Sequence, residues 1–237
     1  MFVATDSFST AAVPFFILAG TLMEKGGISK RLVDFCRVLL GKVPARSAAI
    51  TVGGSAFFGA ISGSNAATVA AMGGVMIPKM IDVGYPADEA SAIAASAGTL
   101  GVVIPPSVPM IVFAITTSAS VSALFLGGVI PGLLLAFVLI LANILRCRKY
   151  EPKAEEKVTP RVFWAVFKDA IWALLMPVII LGGIYGGICT PTEAAAISCA
   201  YALSVSMLVY QQLRLKDWPA IFTKSAVTTA AILIVVA

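Results

Sequence analysis

The chain has 237 residues, 59% of them hydrophobic and only 12% charged, with a mean hydropathy of +0.97. A soluble domain carries about 25% charged residues, so this composition excludes a water-soluble core and points to an all-α polytopic membrane protein. The net charge of +5 sits in short connections (25–46, 79, 146–168 and 214–224), which speaks against nucleic acid as a partner. By the positive-inside rule those connections are cytoplasmic, leaving Asp6 and Glu193 for the opposite side.

In chain order, residues 6–23 read as a helix that enters from outside and ends at Glu24-Lys25-Gly26-Gly27. No cleavable signal peptide is visible in 1–10, which lacks a basic region followed by an apolar run. Residues 28–40 place Ile28, Leu32, Phe35 and Leu39 on one face and Lys30, Asp34 and Arg37 elsewhere, the spacing of an amphipathic helix in the cytoplasmic interface. Segment 44–80 carries a positive charge near each end, Arg46 and Lys79. A single crossing would violate the charge rule, whereas a re-entrant hairpin turning at 62–65 satisfies it. The alternative is one long tilted helix with a tolerated glycine patch.

Residues 86–118 then cross outward with a break around 101–109, where Pro105, Pro106 and Pro109 cannot continue an intact helix. Residues 121–145 return inward. The polar run 146–161 is a cytoplasmic boundary that divides a first repeat (1–148) and linker (149–161) from an incomplete second repeat (162–237). Within the latter, 164–188 goes out and 194–209 comes back. A last segment opens at Trp218 and Pro219 and is still apolar at Ala237, so the expectation is a chain cut inside the membrane. Residues 9–19 and 228–237 are weakly similar and run in opposite directions under the charge rule, as in an inverted-topology repeat.

Two stretches carry the chemistry. At the hairpin tip, Ser62, Gly63, Ser64 and Asn65, with Thr68 one turn on, supply hydroxyl and amide oxygens. At the second break, Gly98, Thr99, Gly101, Pro105, Pro106 and Ser107 supply backbone carbonyls that prolines leave unpaired, beside two hydroxyls. Chain breaks in hydrocarbon are tolerated only inside protein or beside a water-filled cavity. Neutral oxygens suit a hard monovalent cation; the candidate Na⁺ ligands are Ser62, Ser64, Asn65, Gly98 and Gly101. The adjoining half-helix N-termini suit a carboxylate. The bland reading of the same residues is an N-cap at Ser64 or Asn65 and close helix packing at the glycines.

Other features receive structural readings. Thr190-Pro191-Thr192-Glu193 has the spacing of a capping box, so Glu193 is expected to cap rather than to relay protons. Met72, Met76, Met80 and the phenylalanines at 15, 16, 57 and 58 are expected to pack. The chain has no histidine, which removes Ser-His dyads, histidine zinc sites and histidine relays. Cys36, Cys147, Cys189 and Cys199 show no C-x-x-C spacing and are assigned no disulfide or metal role. An intramembrane enzyme using Ser62 or Ser64 as nucleophile would need a Lys or Asp partner at that depth, and none is near in sequence. A passive channel would more naturally show a ring of repeated filter residues.

Four motifs together resemble the large membrane subunit of tripartite ATP-independent periplasmic (TRAP) transporters. They are Pro14-Phe15-Phe16-Ile17-Leu18-Ala19-Gly20, Ser62-Gly63-Ser64-Asn65-Ala66-Ala67-Thr68, Gly98-Thr99-Leu100 running to Ile104-Pro105-Pro106-Ser107, and Thr190-Pro191-Thr192-Glu193-Ala194-Ala195-Ala196. The resemblance covers essentially the whole chain. It implies an inverted-repeat, elevator-type carrier in the bacterial inner membrane, and no enzyme. The implied activity is Na⁺-coupled uptake of an organic acid, a C4-dicarboxylate or a sialic-acid-like solute. The implied partners are a periplasmic substrate-binding protein, a small membrane subunit (separate or fused) and the lipid bilayer, with Na⁺ as coupling ion and no other cofactor. Family sodium sites lie at hairpin tips and unwound helices, which points here to 62–65 and 98–107. The family subunit has further helices before the position of Met1, and a second hairpin and broken helix after Ala237, so the isolated chain is not expected to transport.

Overall fold

A computed structural model describes residues 8–151 and 160–236, all of whose regular structure is helical. Asp6 and linker residues 152–159 lie outside the described residues. After a 3₁₀ turn at Phe8–Ala11, α1 spans Ala12–Lys25 and stops where the Gly26 N–H bonds back to the Leu22 carbonyl at 2.8 Å. Helix α2 spans Ile28–Leu40; Ile28, Leu32 and Phe35 are buried, with Lys30 and Arg37 outward. Leu39, expected on the same face, is 50% exposed near the end of the helix.

The centre of the molecule is a hairpin. Helix α3 (Arg46–Ser62) is buried along nearly its whole length and touches α1, α2 and the later helices at 87–98, 100–103 and 121–147. The returning arm, α4, occupies 65–82: one α-turn (Asn65–Thr68), a π-turn (Val69–Gly73) and a second α segment (Gly74–Asp82). Next come α5 (Ala87–Gly98), the single turn α6 (Leu100–Val103) and α7 (Val108–Thr117), with a bend of 42° at the break before α7. The break is narrower than the sequence suggested. Helical bonding persists through Thr99, whose N–H and hydroxyl both reach the Ser96 carbonyl. Only at 104–107, where two prolines remove their donors, does the backbone become extended.

Helix α8 (Val121–Cys147) returns along this assembly and exposes Leu126, Ile130, Leu133, Leu134, Phe137 and Leu141, a stripe suited to lipid. Helices α9 (Pro160–Tyr185), α10 (Pro191–Ser204, prolonged by a π-turn at Val205–Val209) and α11 (Trp218–Val236) complete the fold. The capping box at α10 is formed: Thr190 Oγ1 accepts from the Glu193 N–H at 3.3 Å, and a Glu193 carboxylate oxygen accepts from the Thr190 N–H at 2.8 Å. Among the described residues, three helices are long and apolar enough to cross a membrane, four if the bent 87–117 pair is one span. All four cysteines are free thiols, and Met72, Met76 and Met80 are buried in the core.

One contact escaped the charge reading. Glu151, after the end of α8, is buried at the base of the hairpin. Its carboxylate binds Arg46 Nε at 2.6 Å and accepts from the Ser47 N–H at 2.8 Å and the Ser47 hydroxyl at 3.2 Å. It thus neutralises both an arginine and the positive N-terminal end of α3. The Tyr85 hydroxyl approaches the same carboxylate at 3.4 Å. Burial first, and then the Glu151 charge, push the Tyr85 phenol well above its ordinary range.

Candidate ion and substrate site

Gly63 closes α3 in the left-handed region, φ +61°, with its N–H on the Gly59 carbonyl at 2.9 Å. A side chain there would be strained. Ser64 is extended and caps the returning arm, accepting the Ala67 N–H at 3.4 Å. The bland N-cap reading therefore holds for Ser64 without displacing the other: a cap hydroxyl has a second lone pair. The turn brings oxygens together. Thr68 Oγ1 donates to the Ser64 carbonyl at 2.8 Å and lies 3.1 Å from Ser62 Oγ, which is itself 3.4 Å from that carbonyl.

The second break abuts the first. The Val108 N–H, first of α7, donates to the Gly63 carbonyl at 3.0 Å. Ser107 caps α7 through its hydroxyl, which also donates to the Val102 carbonyl at 2.7 Å. It replaces the donor that Pro106 lacks, so this carbonyl is satisfied. Gly101 sits against the tip: a Cβ there would collide with Thr68 Oγ1 and lie 2.7 Å from the Ser64 carbonyl oxygen. One at Gly98 would lie 2.7 Å from Asn65 Oδ1.

Six of the residues singled out in the sequence thus form one cluster: Ser62, Ser64, Asn65, Thr68, Gly98 and Gly101. Gly63 and Ser107 build the connection beside it, and the Pro106 carbonyl abuts Gly63. Pro105 is buried within the break. Thr99 is exposed and bonded to its own helix, away from the cluster. No group of three or more His, Cys, Asp or Glu side chains that could hold a metal occurs among the described residues. The cluster is a set of neutral oxygens, which fits a monovalent cation and lacks the carboxylates that divalent ions select.

The tip opens into a cavity of about 760 Å³. Ser62, Gly63, Ser64 and Asn65 form one wall and α7, from Val108 to Thr116, another. The remaining wall was not anticipated. Gly20, Thr21 and Glu24 of α1 face Lys224 and Thr228 of α11 across it. Lys224 Nζ donates to both Glu24 carboxylate oxygens, at 3.0 and 2.8 Å. The weak likeness between 9–19 and 228–237 was the available signal, since helices equivalent in two repeats commonly meet at the repeat interface.

The family model described as "Tripartite ATP-independent periplasmic transporter, DctM component" matches residues 1–237. The chain is 38% identical over 250 residues to the C4-dicarboxylate TRAP transporter large permease protein DctM of Rhodobacter capsulatus, covering 100% of this chain and 57% of that protein. It is 40% identical over 237 residues to the protein of the same description from Pseudomonas aeruginosa, covering 100% and 56%. It is 42% identical over 234 residues to the isethionate TRAP transporter permease protein DctMQ of Oleidesulfovibrio alaskensis, covering 98% and 37%. The chain spans little more than half the length of the first two relatives. With membrane-length helices, a tip–break cluster of neutral oxygens and a match along its whole length, the chain belongs to the DctM family of tripartite ATP-independent periplasmic transporters, multi-pass proteins of the bacterial inner membrane.

Proposed function

We propose that this chain forms part of the large membrane subunit of a sodium-coupled importer of organic acids. The observation that carries the reading is the convergence of the two chain breaks. The Gly63 carbonyl is tied to the Val108 N–H at 3.0 Å, and the oxygens of Ser62, Ser64 and Thr68 meet within 3.4 Å beside Gly101. Such a cluster can replace part of the hydration shell of Na⁺ without placing a carboxylate in hydrocarbon. Asn65, Ala66 and Ala67 of the first turn of α4 line the cavity, and a helix N-terminus suits an anion.

For the solute class, the names of the relatives support a C4-dicarboxylate or another small acid such as isethionate; a sialic-acid-like solute belongs to the same proposal. The proposed partners are a small membrane subunit, in line with the isethionate relative's description as DctMQ, and a periplasmic binding protein that delivers the solute. Hairpin and broken helix are taken to move together as the carrier domain of an elevator. The opposed course of α1 and α11, with Lys224 at Glu24 and Thr228 further along the same wall, supports an inverted repeat.

The test is uptake of labelled succinate and isethionate into proteoliposomes. They should contain the complete transporter, binding protein outside, under an inward Na⁺ gradient or an equal K⁺ gradient. Uptake should require Na⁺, and Thr68→Val should raise the Na⁺ concentration for half-maximal rate several-fold. Equal uptake under both gradients refutes sodium coupling.

A further inference from the structure

Charged groups that face the interior of a membrane protein are functional candidates by default, provided their partner is named. Lys224 and Glu24 are such a pair, and no motif that identifies the family contains either. Lys224 lies one and a half turns into α11, where it is the one charged residue of the helix, and it lines the cavity at the hairpin tip. Its ammonium has three donors; Glu24 accepts two of them. Thr228 Oγ1 donates to the Lys224 backbone carbonyl at 2.9 Å, a bond within α11 that involves no ammonium donor. The lysine side chain is 49% exposed and the glutamate 19%. The cation is therefore the partner open to the cavity and free to turn toward an arriving ligand.

Resting on the import reading above, we propose that Lys224 is the counter-charge for a carboxylate or sulfonate of the transported acid. Glu24 is its place-holder, taking the ammonium whenever the cavity holds no anion. The cavity is of a size that holds small ligands. In a dicarboxylate one acidic group then faces the hairpin tip and its cation while Lys224 meets the other; in a single-acid solute such as isethionate the sulfonate meets Lys224. When the solute leaves, Glu24 recaptures the lysine. Both residues are positioned to set affinity, and they act in opposite senses: one attracts the anion and the other competes with it.

The experiment measures KM and Vmax for whichever of succinate and isethionate the wild-type complete transporter carries, in proteoliposomes with its binding protein. Lys224→Gln should raise KM about tenfold, the loss expected for a charge-assisted contact, with the Na⁺ dependence unchanged. Lys224→Arg should recover most of that loss. Glu24→Gln should lower KM. A pair that merely braces α1 against α11 predicts the same direction of change for both single variants, or lower Vmax at constant KM; either result overturns the proposal. Should Lys224→Gln fail to assemble, Glu24→Gln decides alone, and a KM at or above wild type overturns it. Absence of any wild-type uptake instead refutes the import reading itself.

Discussion

Gly101→Ala tests the geometry of the oxygen cluster. The new methyl would collide with Thr68 Oγ1 and lie 2.7 Å from the Ser64 carbonyl oxygen, against a normal separation of about 3.5 Å or more. The threonine hydroxyl can rotate, but the carbonyl belongs to backbone. It already accepts from the Thr68 N–H at 3.1 Å and the Thr68 hydroxyl at 2.8 Å. Relief therefore requires α6 to move off the tip, an overpacking penalty of about 1–3 kcal/mol. The displacement also spreads the candidate Na⁺ ligands. Ligand binding stabilises by RT ln(1 + [L]/Kd), about 1.4 kcal/mol when the ion is at tenfold its Kd. A tenfold weaker site leaves about 0.4 kcal/mol of this. The assay is thermal unfolding of the purified complete transporter in NaCl and in KCl at equal ionic strength. Wild type should melt higher in Na⁺, and Gly101→Ala should melt lower in both salts with most of the Na⁺ increment gone. Gly127→Ala is the control, because a Cβ there meets nothing within 4 Å. A Gly101→Ala protein with the wild-type Na⁺ increment would refute the reasoning.

Three further outcomes follow from contacts outside that cluster. Glu151→Ala strands the Ser47 N–H and removes the partner of Arg46 Nε. Breaking a buried pair costs about 3–5 kcal/mol, which the 28% exposure of the arginine side chain reduces to about 2–3 kcal/mol. Thermal melts should show it, with Glu151→Gln losing less because its amide oxygen can still accept the Ser47 N–H; an unchanged melting temperature for Glu151→Ala excludes the clasp. Thr190→Ala should cost about 1 kcal/mol as a lost N-cap and leave the uptake rate unchanged, whereas a proton-relaying Glu193 would show itself as a rate that falls with Glu193→Gln at full stability. Ser107→Ala should lower stability by about 1–2 kcal/mol, because the Val102 carbonyl loses its donor and α7 its cap. Ser107→Thr, which keeps the hydroxyl, should retain most of it, and equal losses in the two variants would contradict this account.

The hairpin tip was legible because glycine, serine and asparagine in the middle of an apolar run have few other physical uses. The amphipathic course of α2 was legible from its spacing. Thr99 was misplaced because Gly98 and Gly101 read as helix breakers, whereas here they serve close approach to Asn65 and Thr68 while the helix continues; only the prolines remove donors. The π-turn at Val69–Gly73 left no trace in composition. It adds a residue to one turn and so rotates everything beyond it, and it depends on tertiary packing such as Met72 against Gly54. Glu151 and Lys224 were counted only as charges that set topology. Their partners lie 66 or more residues away, a separation that local periodicity does not register.

The clasp at Glu151 also bears on how the protein is made. Ser47 leaves the ribosome 104 residues ahead of the carboxylate that caps it. At a synthesis rate of about 5–20 residues per second, that interval is about 5–20 s. Throughout it the hairpin must enter the bilayer with Arg46 and the first amides of α3 served by water or lipid headgroups. The hairpin therefore settles only after α8 has been inserted, and the polar segment behind α8 supplies the last group it needs.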